Sequence, residues 1–498
     1  MLLRFIFVKK QDNPCYDRYQ NFDRKEIPEM KIRQFCNRYF RQLSLAACML
    51  FYLIFAVIDG PVWCRDSNSY ATMEFSREPL YPLYLAFFRR IFGSQTQLYG
   101  QPLYLFPAIL GQSILWGYAA WSVGRFLYEA YDREGHEKRA LAAGTLGILL
   151  QLAVPLLNRF AAIRGSMYSE CIMTESLAMP LYVLLSLQLC RWIRDHRRSS
   201  LILVLTDAFL LISIRKQMAI GLILFLCISC LYDVFRKKNR NLKRFLYSVL
   251  LSVLVLLAAK GLDYSYNYLL RGVWMEHTGN SKAALCTLLF SADESDAALF
   301  DTYGTPEEKA LFEEIIRQAG DQQLLIGDVP EGADWMVLAE HYADSYDVIG
   351  FDIAQPVIRD YVTSHETLDA VHQELKMDEV SEELVQVPQH QDKKDLIRVY
   401  GANLIKGLIC SDARVMRGLN EIGLMIYVLF LILYGILMHR KEEGLCLFAE
   451  VSLGGILINT VVVGALIFPQ PRYMTYGMGL FYTALILMME GVCRKRCR

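Results

Sequence analysis

The chain has 498 residues, of which 54% are apolar and 21% are charged, and its formal net charge is zero. Soluble globular proteins carry about 25% charged residues, so this chain is more apolar than most of them. Its high apolar content excludes an intrinsically disordered protein, and its lack of net positive charge argues against a nucleic-acid-binding protein. The apolar residues are gathered into long runs, which predicts one polytopic membrane domain with soluble insertions.

The N-terminal 42 residues are polar and basic, and their short apolar start is interrupted by Arg4. That start is too short for the core of a signal peptide, so we expect the first long apolar run to be an uncleaved signal anchor. About 20 apolar residues are needed to cross a hydrocarbon core of roughly 30 Å. The sequence predicts about ten transmembrane helices, at residues 43–58, 101–122, 140–157, 172–190, 201–214, 217–233, 245–262, 421–438, 445–467 and 473–490. The short fifth run and the sixth run form a re-entrant pair in the alternative interpretation.

The basic residues test this topology. If the N-terminus is cytoplasmic, alternate connections are cytoplasmic and should carry an excess of Lys and Arg. Every such connection does: Arg133, Lys138 and Arg139; Arg191, Arg194, Arg197 and Arg198; Arg236, Lys237, Lys238, Arg240, Lys243 and Arg244; Arg440 and Lys441; and finally Arg494, Lys495, Arg496 and Arg498. The pattern predicts a multi-pass protein with both termini in the cytoplasm.

These spans divide the chain into five segments. They are a cytoplasmic basic segment (1–42), an N-terminal transmembrane module (43–262), an extracytoplasmic domain (263–420), C-terminal transmembrane helices (421–492) and a cytoplasmic basic tail (493–498). The N-terminal module includes the first outer loop, residues 59–100. The fold class is therefore an all-α polytopic membrane protein with a large, mainly helical extracytoplasmic loop.

Two helices are predicted within the large loop. Thr305 followed by Pro306 and two glutamates is typical of a helix start, and Gly320 is a suitable stop. Residues 395–409 predict an amphipathic helix, whose apolar face contains Leu396, Ile397, Tyr400, Leu404 and Ile405. No stretch alternates in the manner of a strand.

Cysteines and histidines give no recognisable site. Four cysteines fall on the outer side: Cys64, Cys171, Cys286 and Cys410. A disulfide between Cys286 and Cys410 is one interpretation, and free buried thiols are the default one. The outer histidines have no metal-ligand spacing and are expected to be solvated; they are His277, His341, His365, His372 and His390. The sequence has no P-loop or GxSxG motif, which excludes a P-loop ATPase and a serine hydrolase. Its one CxxC pair, Cys227 and Cys230, has no second such pair to complete a zinc ribbon.

The first outer loop concentrates the polar chemistry. Asp59 and Asp66 lie just outside the first span, and residues 80–91 predict a proline-interrupted amphipathic helix able to lie in the membrane interface. Carboxylates beside such a helix suit a reaction between a lipid-anchored substrate and a polar partner. The alternative is an aspartate that only caps the next helix.

Four motifs stand out along the chain: Asp66-x-x-x-Tyr70 followed by Pro-Leu-Tyr-Pro-Leu and Phe-Gly; Met173-Thr-Glu175-Ser-Leu-Ala; Ile214-Arg215-Lys-Gln217; and Pro469-Gln-Pro-Arg472-Tyr473-Met. Together they resemble the GT-C superfamily of glycosyltransferases, and most of all its bacterial members related to protein O-mannosyltransferases and to the aminoarabinose transferase of lipid A. The resemblance covers residues 43–262 and 421–490. Lys216 stands where the family usually has proline.

The resemblance implies a polyprenyl-phosphate sugar donor, an outer-face acceptor (glycan, lipid or protein), inversion at the anomeric carbon, and a bacterial plasma membrane with the active site on its extracytoplasmic face. Its partners are then membrane lipid and these two substrates, and no nucleic acid. Asp66 is the expected catalytic base, with Asp59 as second choice. Arg472 and Arg215 are expected to stabilise the leaving phosphate, because the guanidinium fork matches phosphate oxygens. Tyr473 and Tyr70 are assigned to the same phosphate site.

Some residues depart from the family pattern or allow another interpretation. Many relatives have a second acid directly after the aspartate, where this chain has Ser67, so a metal site built on adjacent carboxylates is in doubt. Glu175 or Glu170 is the candidate second carboxylate, which leaves a divalent cation as an open alternative with no metal assigned. The two arginines reach lipid headgroups in the alternative interpretation, and both tyrosines then belong to an interfacial aromatic belt.

Two acids lie inside predicted spans, Asp207 in the fifth and Glu450 in the ninth. Intramembrane acids often mark ion paths, so a transporter or lipid-linked sugar flippase is one alternative function, although an interior hydrogen-bonded acid is the simpler interpretation. A polysaccharide polymerase or ligase that uses lipid-linked oligosaccharides is the other alternative function.

Overall fold

The computed structural model describes residues 26–133, 135, 137–161, 165–236, 241–409 and 417–494. The chain divides into two compact units, residues 1–43 and 44–498. Cys410, the basic residues Lys237, Lys238 and Arg240, and the last four residues lie outside the described residues, so the proposed Cys286–Cys410 disulfide stays a prediction.

The N-terminal half is helical, apart from two short strands in the first outer loop. Its helices are α1 (Glu26–Asp59), α2 (Ser67–Ala71), α3 (Leu80–Phe92), α4 (Leu105–Arg133), α5 (Glu137–Ala161), α6 (Glu175–Asp195), α7 (Arg198–Ile214), α8 (Ile220–Cys230) and α9 (Leu242–Arg271). Short 3₁₀ turns at Tyr168–Glu170 and Lys216–Ala219 precede α6 and α8, and a π turn at Leu231–Phe235 follows α8. The strands β1 (Gln97–Leu98) and β2 (Gln101–Pro102) pair antiparallel, a hairpin that the sequence pattern did not predict.

A helical insert, residues 272–409, follows α9. Its helices are α10 (Lys282–Phe290), α11 (Phe300–Tyr303), α12 (Pro306–Asp321), α13 (Trp335–Asp347), α14 (Gln355–His365), α15 (Ala370–Gln386) and α16 (Lys393–Ile409). A π turn at Val348–Ala354 joins α13 to α14, and 3₁₀ turns lie at Glu294–Leu299, Ile326–Asp328 and Pro388–His390. Fully buried aromatic side chains such as Phe290, Phe312 and Tyr342 form the centre of one apolar core in the insert.

The C-terminal part returns to long apolar helices. These are α17 (Arg417–His439), α18 (Glu443–Leu466), the short α19 (Pro471–Met474) and α20 (Met478–Arg494). Helix α18 packs against α6, α8 and α20, so the C-terminal helices join the N-terminal bundle.

Seven helices in the described residues are long and apolar enough to cross a membrane. They are Tyr39–Asp59, Glu137–Phe160, Glu175–Asp195, Lys216–Phe235, Leu242–Arg271, Glu421–His439 and Glu443–Leu466. The chain is therefore an all-α, multi-pass membrane protein, as predicted. The three remaining predicted spans coincide with α4, α7 and α20, and the total of ten stays a prediction.

Both helices predicted within the insert are present, but the apolar face predicted for the second one is not the buried face. The Thr305 hydroxyl accepts a hydrogen bond from the Glu308 amide at 3.2 Å, and the Glu308 carboxylate accepts one from the Thr305 amide at 2.9 Å, which is a capping box at the start of α12. The predicted apolar face of α16 is wrong, because Ile397 is 67% exposed. The buried face instead contains Val399, Ala402, Asn403 and Gly407, since α16 packs against α13 and α18.

Candidate functional site

The first outer loop is fixed against the segment that precedes α6. The Val62 amide donates to the Glu170 carbonyl at 3.0 Å, and the Ile172 amide donates to the Val62 carbonyl at 2.9 Å. The Ser67 hydroxyl donates to the Ile172 carbonyl at 2.7 Å and accepts from the Cys64 amide at 2.6 Å. Because the polar groups of both segments are hydrogen-bonded to each other, the loop is held in a defined position at the point where α2 begins.

Asp66 lies at the start of α2 between two arginines. Its Oδ1 is 3.0 Å from Nη2 of Arg77, and its Oδ2 is 2.9 Å from Nη1 of Arg472 in α19. Burial raises the pKa of Asp66, but the charges of Arg472 and Arg77 lower it more, so the pKa lies below its ordinary value. The carboxylate is therefore charged at neutral pH.

Arg472 connects Asp66 to the other predicted site residues. Its Nη2 donates to the Tyr473 hydroxyl at 2.6 Å, and the Arg215 guanidinium lies 4.2 Å from the centre of the Tyr473 ring. Arg215 also forms an ion pair with the buried Glu175 at 2.6 Å. Asp66, Arg472, Tyr473, Arg215 and Glu175 thus form one connected polar cluster, although the chain brings them from four separate motifs.

Tyr70 borders the same cluster. Its ring is 5% exposed and carries the Arg77 guanidinium 4.7 Å from its centre. The Tyr70 hydroxyl is 3.5 Å from Nη1 of Arg77, a long contact. Arg77, which was not singled out from sequence, joins Tyr70 to Asp66.

Asp59 lies outside this cluster. It forms an ion pair with Arg159 at the end of α5, with Nη2 of Arg159 donating to Oδ1 at 2.8 Å. Glu170 belongs to the same neighbourhood: its carboxylate accepts from the Met167 amide at 2.9 Å and from the Ser169 hydroxyl at 3.0 Å. Burial raises the pKa of Glu170 to about 7. The second-choice base and one candidate second carboxylate are therefore placed away from Asp66.

The described residues provide little for a metal ion. No group of three His, Cys, Asp or Glu side chains among them lies close enough together to hold one. Both oxygens of Asp66 already contact arginines, and Glu175 contacts Arg215. These side chains therefore do not fit a divalent cation.

Four members of the polar cluster, Asp66, Arg215, Arg472 and Tyr473, line a cavity of about 330 Å³, here called the arginine cavity. Six basic residues line it: Arg65, Arg77, Arg215, Lys216, Lys282 and Arg472. Only three acids do so, namely Asp66, Glu78 and Asp347. The excess of cations makes the cavity suited to a ligand that carries negative charge.

Three of these basic residues, besides Arg77, were not singled out from sequence as site residues: Arg65, Lys216 and Lys282. Burial lowers the pKa of Lys282 to about 8, and its amine lies 3.1 Å from the centre of the Phe351 ring. Lys282 belongs to the insert, where no sequence motif identified site residues.

His277 was expected to be solvated, and that prediction is wrong. Its side chain is 6% exposed, and its Nδ1 lies 2.6 Å from a carboxylate oxygen of Asp263. It is buried because Asp263, near the end of α9, and Glu78, from the first outer loop, lie on either side of it. Its ring also lines the arginine cavity.

The insert contacts the first outer loop directly. Arg65, the neighbour of Asp66, forms an ion pair with Asp347 at 3.0 Å and lies 5.6 Å from the centre of the Phe351 ring. The Thr278 amide also donates to the Phe75 carbonyl at 3.3 Å. The insert is thus positioned to form one wall of the site.

Comparison with models of known protein families, with curated proteins and with solved structures finds no match to this chain.

Proposed function

We propose that this chain is an integral-membrane glycosyltransferase of the GT-C type that moves a sugar from a polyprenyl-phosphate carrier to an acceptor on the outer face of the bacterial plasma membrane. The proposal includes ten spans, cytoplasmic termini and inversion at the anomeric carbon. The observation that supports it most directly is the ion pair between Asp66 and Arg472, which are 406 positions apart in the chain. This pair lines a cation-rich cavity in a protein with long apolar helices.

The cavity has the charge that the donor requires. The leaving group of such a donor is a phosphate monoester, whose negative charge grows as the bond to the anomeric carbon breaks. Arg472 and Arg215 provide hydrogen-bond donors that are already oriented by Tyr473 and Glu175, so little reorganisation is needed when that charge develops. A volume of about 330 Å³ suits a monosaccharide phosphate.

Asp66 is the base in this proposal. As the acceptor oxygen forms its bond to the anomeric carbon, the bond to the phosphate oxygen breaks and the hydroxyl proton passes to the Asp66 carboxylate. In the free protein, Arg472 and Arg77 hold the pKa of Asp66 low, which makes it a weak base. When a donor phosphate binds Arg472, that arginine divides its hydrogen bonds between two anions, and the basicity of Asp66 rises.

The alternative of transport through the intramembrane acids has less support. Glu450 in α18 accepts a hydrogen bond from the Tyr434 hydroxyl at 2.6 Å and forms an ion pair with Arg236 at 2.5 Å. A carboxylate with two partners near one end of its helix is suited to joining α18 to α17 and to the segment that follows α8. A transfer reaction at Asp66 requires neither Glu450 nor Asp207.

The direct test uses purified protein in lipid with a panel of short-chain polyprenyl-phosphate monosaccharides and a membrane extract as the source of acceptor. The measured quantity is release of polyprenyl phosphate by the wild type and by Asp66→Asn. We expect release by the wild type from at least one donor and none by Asp66→Asn. Absence of release from every donor would contradict the proposal and favour an oligosaccharide ligase or a flippase.

A further inference from the structure

A second, larger cavity lies next to the arginine cavity. It has a volume of about 550 Å³, within the range of small-ligand sites, and is here called the insert cavity. The two cavities share six lining residues: Ser76, Arg77, Thr278, Gly279, Lys282 and Phe351. A ligand in the insert cavity therefore lies beside Arg77, whose guanidinium contacts Asp66.

One wall of the insert cavity is polar although it faces the inside of the insert. Six residues of α15 line it, Ala370, Gln373, Glu374, Met377, Asp378 and Ser381, and their spacing places them on one face of the helix. That face packs toward α10 and α14, where a helix normally presents apolar side chains. Polar groups turned inward cost free energy unless a ligand or water hydrogen-bonds to them.

Some of these polar groups have protein partners and others do not. Glu374 accepts from the Thr278 hydroxyl at 2.6 Å, and Asp378 accepts from the Gly279 amide at 2.7 Å, so both carboxylates are held in place. The side-chain amides of Gln355 and Gln373 make no hydrogen bond to other described residues, and each offers both donors and an acceptor to the cavity. Amides with unused donors and acceptors beside fixed carboxylates match a ligand rich in hydroxyl groups.

The charges of the two cavities differ. The insert cavity is lined by three acids (Glu74, Glu374 and Asp378) and three bases (Arg77, Lys282 and Arg359), whereas bases outnumber acids in the arginine cavity. A balanced lining does not select an anion. The polar side chains of α15 also interrupt the apolar surface that Leu285 and Ile358 give this cavity, whereas an acyl chain requires a continuous one. The described insert has no strand edge with which an extended peptide could pair.

From these observations we propose that the insert cavity is the acceptor site and that it binds a neutral saccharide, one hydroxyl of which reaches Asp66 past Arg77. This assignment rests on the proposed function, because only a transferase needs an acceptor site beside the donor site. It selects a glycan among the three acceptor classes, glycan, lipid and protein.

The test measures equilibrium binding of neutral trisaccharides of several linkages to the full-length protein in lipid nanodiscs, with no donor present. A serine- and threonine-containing peptide and a uronic-acid trisaccharide are the comparison probes. We expect at least one neutral trisaccharide to bind, and we expect Gln373→Leu or Gln355→Leu to weaken that binding by about tenfold through loss of amide hydrogen bonds. Gln389→Leu makes the same change on an exposed position of the insert outside the cavity and should bind like the wild type.

The possible results separate this assignment from the proposed function. If no neutral trisaccharide binds, if the peptide or the acidic trisaccharide binds more tightly, or if Gln373→Leu and Gln355→Leu both bind like the wild type, the assignment is wrong. Release of polyprenyl phosphate by the same preparation would then still support the transferase. Equal thermal unfolding of the variants and the wild type is the control for folding.

Discussion

Two aspartate–arginine pairs lie near the outer end of the first predicted span, and they differ in what surrounds them. Asp59 contacts Arg159 and lies with the buried Glu170, and neither member of the pair lines the arginine cavity. Asp66 contacts two arginines, of which Arg472 also contacts Tyr473, and all of these residues line that cavity. The same pair of residue types can therefore join helices in one place and line an open cavity in another. What separates the two roles is access to an open volume with excess positive charge.

The largest expected effect is on catalysis. We expect Asp66→Asn to lower the rate of sugar transfer by about 100-fold or more, because a general base contributes that much. Asp59→Asn should leave the rate within about threefold of the wild type, since its pair is outside the cavity. Transfer assays in membranes with matched protein levels measure both. Equal activity of Asp66→Asn and the wild type would contradict the role of Asp66.

The second prediction concerns the pH dependence of stability in the Asp59 region. Burial raises the pKa of Glu170 from 4.5 to about 7. Between these two pH values Glu170 binds a proton in the folded protein but not in the unfolded chain, so its stabilising contribution is fully present below about pH 4.5 and is lost as the pH rises through 7. The expected loss is about 2–3 kcal/mol.

Thermal unfolding from pH 4.5 to 8 checks this loss. Glu170→Gln keeps a neutral side chain, so its unfolding temperature should depend less on pH and should exceed that of the wild type at pH 8. The same pH dependence in the variant and in the wild type would show that another group is responsible.

The third prediction compares the two arginines. Arg472→Lys keeps the charge but loses the planar fork that reaches both Asp66 and Tyr473, so we expect the KM for the donor to rise by about tenfold. Arg159→Lys is the matched control and should leave this KM within about twofold, because Arg159 is not in the arginine cavity. Steady-state kinetics with a varied donor concentration distinguish the two. An equal change in KM for both variants would contradict the placement of the donor phosphate in the arginine cavity and not at the Asp59–Arg159 pair.

The smallest effects are expected at the tyrosines. Tyr473→Phe removes the hydroxyl that accepts from Arg472 at 2.6 Å, which should lower the rate of transfer by about three- to tenfold. Tyr70→Phe removes only a 3.5 Å contact and keeps the ring beneath Arg77, so the rate should change by less than about twofold. A larger loss for Tyr70→Phe than for Tyr473→Phe would reverse the order of the two tyrosines and would suggest a direct contact between Tyr70 and substrate.

The helices were the most predictable features of the chain. Apolar runs and capping residues act locally, so the membrane helices and the start of α12 at Thr305 could be predicted from short windows. The apolar face of α16 could not, because it depends on which neighbours the helix meets. Burial of Asn403 there follows from a hydrogen bond to the Gly464 carbonyl of α18, which no local pattern contains.

The site was predictable only in part for the same reason. Four motifs named Asp66, Glu175, Arg215 and Arg472, and the structure brings all four together. No motif covers the insert, so Lys282 and His277 could be recognised only from the cavity that they line. The separation of Asp59 from Asp66 likewise depends on the distant partner Arg159, which no local pattern links to either aspartate.

The most direct test of the central claim locates the donor itself. A polyprenyl-phosphate sugar analogue with a photoreactive group next to the phosphate is cross-linked to the full-length protein in lipid, and the labelled residues are identified by mass spectrometry. We predict labelling of residues that line the arginine cavity, such as Tyr473, Lys216 and His277, and its loss when unlabelled donor competes. Competed labelling confined to the surroundings of Asp59 and Arg159, with none in the arginine cavity, would contradict the account.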